Sequence, residues 1–91
     1  MQMKEFGSVQ AEMAEVQAQA RKNANPQLEA DAADALGRML GLRGDVAGER
    51  RLLTEALALR RKVHGEDSYQ VGMSYVNLGG SYMRANDNRP G

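Results

Sequence analysis

Few residues in this chain could do chemistry, and each has a simpler role in a helical frame. The single histidine, His64, stands at a helix-to-loop junction. No HExxH, cysteine or serine-nucleophile motif accompanies it, so it reads as a surface or packing residue. Glu66-Asp67 is a carboxylate pair beside a predicted helix start, where Asp67 or Ser68 serves as a cap. Gly79-Gly80 resembles no phosphate loop, having neither a strand before it nor a following lysine. Paired glycines in a helix instead permit close helix approach, at about 1 kcal/mol each against alanine. Asp31 and Asp34 share one helix face, but two carboxylates make a poor cation site. The chain therefore reads as non-enzymatic, with no catalytic residue, metal site or cofactor expected.

Composition points the same way. With 91 residues the chain is one small domain at most, burying roughly two thirds of its unfolded surface. Cysteine is absent, which excludes a disulfide framework and thiolate ligation. Formal charge is zero overall, yet residues 1–45 carry five Lys/Arg against seven Asp/Glu, and residues 46–91 seven against five. That balance excludes the basic surplus of a non-specific nucleic-acid binder. No apolar run reaches signal-peptide or membrane-spanning length, so a cytoplasmic protein without membrane contact is expected.

Four helices must position whatever the chain presents. Phe6, Val9, Met13, Val16 and Ala20 form a narrow stripe that predicts a helix over 3–22 packed on one neighbour. Asn25 caps a second helix opening at Pro26 and running over 26–43, with Leu28, Ala32, Ala35, Leu36 and Met39 inward. Gly44 ends it and Asp45 caps a third over 46–63, a turn short enough to force antiparallel packing. Leu52, Leu53, Ala56, Leu57, Leu59 and Val63 give that helix a wide apolar face. Arg60, Arg61 and Lys62 complement the dipole of its last turn. The fourth helix is predicted over 68–85, followed by a disordered tail, 88–91.

The fourth helix has two apolar sides. Val71, Tyr75, Leu78 and Tyr82 fall within about 60° of one another, while Met73, Val76, Gly80 and Met83 cluster opposite. Such a helix should be sandwiched between two layers; left exposed, its second side invites association.

Leu36-Gly37 recurs as Leu78-Gly79, 42 residues on, with Leu40 matched by Tyr82 and Gly44-Asp45 by Asn86-Asp87. A fixed period of this size marks stacked supersecondary units. Together with Leu53, Ala56-Leu57-Ala58-Leu59, Arg61-Lys62-Val63, Gly65-Glu66-Asp67, Tyr75 and Asn77, these residues make Ala33–Asp87 resemble tetratricopeptide repeats of the 42-residue, kinesin-light-chain-like kind. The resemblance implies an all-α domain over 1–87 built of antiparallel helix-turn-helix repeats. Residues 1–25 are a helix and linker, 26–65 a full helix pair, and 66–87 a half repeat.

The resemblance also implies a groove lined by Asp31, Asp34, Arg38 and Leu42 of the second helix and by Met73, Val76, Gly80, Met83 and Arg84 of the fourth. Asn77 matches an asparagine that can bond a peptide main chain. Three features depart from the pattern. Val76 replaces the first asparagine of the expected pair, and Asp34-Ala35 stands at that pair's place in the earlier repeat. Glu49 occupies a small-residue position, predicting packing displaced by a residue, and the helix that would close the second repeat is absent. About three repeats are normally needed for stability, so the chain is either part of a larger protein or completed by assembly. The expected function is an interaction module that self-associates through the apolar face of the last helix, side by side or by helix exchange. The alternative is a monomeric adaptor that holds a peptide or helix of another protein in the groove.

Overall fold

The computed structural model describes the backbone of residues 2–87 and the side chains of residues 9–83. It contains helices α1 (Gln2–Lys22), α2 (Pro26–Leu42), α3 (Val46–His64) and α4 (Tyr69–Asp87), connected by short turns. These bounds lie within two residues of those read from the sequence. The expected tail 88–91 and the side chains of Phe6 and Arg84 lie outside the described residues. Among the described residues, no helix is long and apolar enough to cross a membrane.

The caps explain where the helices begin and end. The Leu28 N–H donates to Asn25 Oδ1 at 3.2 Å, and Pro26 occupies the first turn, where its missing donor costs nothing. Asp45 Oδ1 accepts from the Gly48 N–H at 2.9 Å, and Ser68 Oγ from the Val71 N–H at 3.2 Å. Gly44 (φ 97°) and Gly65 (φ 90°) take the left-handed backbone that closes α2 and α3. Between α1 and α2 that conformation falls on an alanine, Ala24 (φ 54°), where a Cβ is unfavourable.

The helices pack mainly on their chain neighbours: α1 on α2, α2 on α3, and α3 on α4. Ala30, Ala33, Leu36, Leu52 and Ala56 form the buried centre, with Met13, Leu40 and Leu59 against it. Alanine at so many contacts brings the helices close. Gly37 takes this furthest, since an added Cβ would sit 3.1 Å from Leu52 Cβ and 3.2 Å from the Glu49 carbonyl oxygen. Glu49 is fully buried at the α2–α3 contact. It fits because Gly41 opposite lacks a side chain: a Cβ there would lie 2.3 Å from Glu49 Oε1. The bulky residue in a small-residue position is thus matched by a glycine on the facing helix.

Three expected faces are corrected. In α1, Val9 is exposed, Met13 and Val16 are half-buried, and Gln17 joins Ala20 as buried, with its Nε2 donating to Glu55 Oε1 at 3.2 Å. In α2, Leu28 is exposed, whereas Ala30, Ala33 and Asp34 are buried because the helix is covered by both α1 and α3. In α3, Val63 near the C-terminal end is exposed.

Candidate functional site

The last helix carries the surface of interest, and its rotation differs from that expected. Its inner stripe is Val71, Ser74, Leu78 and Ser81, not Val71, Tyr75, Leu78 and Tyr82. Serine is small enough for α4 to settle on α3, and both hydroxyls are satisfied. Ser74 Oγ accepts from Arg60 Nη1 at 2.9 Å, and Ser81 Oγ donates to the Leu78 carbonyl at 2.8 Å. Tyr75 and Tyr82 move to the flank, half exposed. There the Arg50 guanidinium lies 4.2 Å from the Tyr82 ring centroid, and Arg61 donates to the Tyr75 hydroxyl.

On the other flank a polar clasp joins three helices. Arg60 Nη1 of α3 donates to Asp34 Oδ2 of α2 at 3.0 Å, and its Nη2 donates to Asp31 Oδ1 at 3.0 Å. Asn77 Nδ2 of α4 reaches both oxygens of Asp34 at 3.1 Å. Burial works against the Arg60 charge, but the hydrogen bonds to Asp31 and Asp34 outweigh it and raise its pKa. The clasp borders a cavity of about 340 Å³ lined by Asp31, Asp34, Arg38, Arg60, Tyr69, Gln70, Met73 and Asn77.

The structure therefore brings Asp34, Arg38, Met73 and Asn77 to one cavity, with Asp34 and Asn77 bonded to each other. Leu42 is exposed at the end of α2 and does not line that cavity. Met73 (39% exposed), Val76 (66%) and Met83 (68%) lie with Gly80 on the outer side of α4. The role of Arg60 as the centre of the clasp was missed, because a cation in a last helical turn carries no mark of the carboxylate it meets on another helix.

The 42-residue offset makes the contrast between the two halves direct. Gly37 of α2 is filled by α3. Its counterpart Gly79 on α4 has nothing within 4 Å of an added Cβ, and the same holds for Gly72 and Gly80. The side of α4 equivalent to the covered side of α2 is thus an open, shallow, apolar strip.

A scan against family models matches residues 30–69 to the tetratricopeptide repeat. Comparison with curated proteins and with solved structures gives no match. The matched stretch runs from the first turns of α2 through α3 to Tyr69 at the start of α4. Repeats of this family generally mediate protein–protein interactions and are generally non-enzymatic. The antiparallel α2–α3 pair, closed at Gly37 and turned at Gly44-Asp45, is therefore a tetratricopeptide repeat within an all-α stack.

Proposed function

We propose that this chain is a protein–protein interaction module that self-associates through the outer side of α4. The observation that carries this reading is the contrast between Gly37, packed against α3, and Gly79, open in the same register. Met73, Val76 and Met83 beside it are the apolar side chains to be covered. Full burial is worth about 1.5–3 kcal/mol for each, and because all three are already partly covered they contribute about 3–5 kcal/mol per copy, about twice that where two copies bury the same strip. Association itself costs about 4 kcal/mol or more. The balance gives a concentration-dependent assembly, not a permanent one.

Light scattering of the chain at micromolar concentration tests this. An assembly that Met83→Glu dissociates, with helicity retained, is the expected result. A strict monomer under the same conditions overturns it.

One observation favours a second reading, an adaptor for a peptide or helix of another protein: the cavity beside the clasp, with Arg38 and Met73 at its edge. Asp34 and Asn77 already bond each other there, so a ligand would have to compete for them. A monomer whose α2 and α4 amide signals shift on adding ligand would select this reading instead.

A further inference from the structure

Each terminal helix packs mainly on one neighbour, and the surfaces that the two leave open are complementary. On α1, Val9, Glu12, Val16 and Gln19 recur at spacings of 3, 4 and 3 along the margin of the side that meets α2, next to buried Ala20. On α4, Gly72, Tyr75, Gly79 and Tyr82 recur at the same spacings. Val9 is 46% exposed, Val16 is half-buried, and both glycines are open. Set antiparallel, two valines seven residues apart meet two glycine notches seven residues apart, the branched side chains filling the space that the missing Cβ atoms leave. Glu12 then approaches the α4 edge where Arg50 and Arg61 lie against the two tyrosines. The wider charge distribution agrees, with residues 1–45 at −2 (five minus seven) and residues 46–91 at +2 (seven minus five).

The order of elements supplies the geometry. Helix α3 packs on both α2 and α4. A copy of α1 placed on the open side of α4 would bridge α4 of one chain and α2 of its own, repeating the part that α3 plays within the chain. From this we propose that the chain assembles head to tail, with α1 of one copy seated on the Gly72–Met83 side of α4 of the next. The proposal rests on the self-association reading and names its partner surface. Such a contact is heterologous, so the assembly is open-ended and does not stop at a dimer.

Two variants at exposed positions test it by complementation. Val9→Arg blocks the α1 side, and Gly79→Arg blocks the α4 side. Each alone should be monomeric by sedimentation, and an equimolar mixture should reach the mass of a dimer and go no higher. A Val9→Arg chain that associates as the unsubstituted chain does would overturn the head-to-tail arrangement, while self-association through α4 would stand. An unsubstituted chain that stays monomeric would overturn both.

Discussion

Two glycines with the same sequence signature should respond oppositely to alanine. At Gly37 the new Cβ would lie 3.1 Å from Leu52 Cβ and 3.2 Å from the Glu49 carbonyl oxygen. Neither atom is the yielding end of a long side chain, so α3 itself must move. Overpacking of this kind costs about 1–3 kcal/mol, set against about 1 kcal/mol gained from the helix propensity of alanine. Gly37→Ala should therefore destabilise by about 1 kcal/mol. At Gly79 the Cβ meets nothing, so only the propensity gain remains, and Gly79→Ala should stabilise the dilute chain by about 1 kcal/mol. The two variants should differ by about 2 kcal/mol, or roughly 10 °C in midpoint for a domain of this size. Urea and thermal unfolding followed by far-ultraviolet circular dichroism, at a concentration low enough to keep association out of the signal, measures both. Gly37→Ala at least as stable as the parent would refute the close α2–α3 contact. A destabilised Gly79→Ala would mean that this side of α4 is already covered within the folded chain.

Three further outcomes follow from the packing. Asp34→Ala removes the acceptor shared by Arg60 and Asn77 and should cost about 2–3 kcal/mol, below the range for a fully broken buried pair because Arg60 keeps Asp31. A double-mutant cycle with Asn77→Ala should show coupling between the two sites in denaturant unfolding. Ala24→Gly relieves a left-handed alanine and should raise the thermal midpoint by about 3–6 °C. Gly41→Ala drives a Cβ onto the Glu49 carboxylate, whose flexible end must turn aside within a fully buried site, and should cost about 1–2 kcal/mol; adding Glu49→Ala should recover part of that loss in the same unfolding assay.

The helices and their ends were legible because caps and breakers act locally. Asn25-Pro26 and Gly44-Asp45 place two helix starts without reference to anything distant in the chain. The 42-residue period was legible too, and with it the pairing of Gly37 with Gly79. That one is filled and the other open depends on which helices exist to pack there, which no local pattern carries. The rotation of α4 escaped for a related reason. Hydrophobic periodicity favours Tyr75 and Tyr82 as inward residues, but a close helix contact selects for small volume, and Ser74 and Ser81 win it. The charged interior escaped as well. Glu49 is admissible only beside Gly41, and Asp34 only beside Arg60 and Asn77, so each burial is a property of a pair on different helices.

Sedimentation equilibrium of the unsubstituted chain across a wide concentration range tests the central claim most directly. A weight-average mass that climbs above that of one chain as concentration rises is the predicted result, since the strip around Gly79 and Met83 then finds a partner. A mass fixed at one chain throughout, with the helices intact, would contradict it.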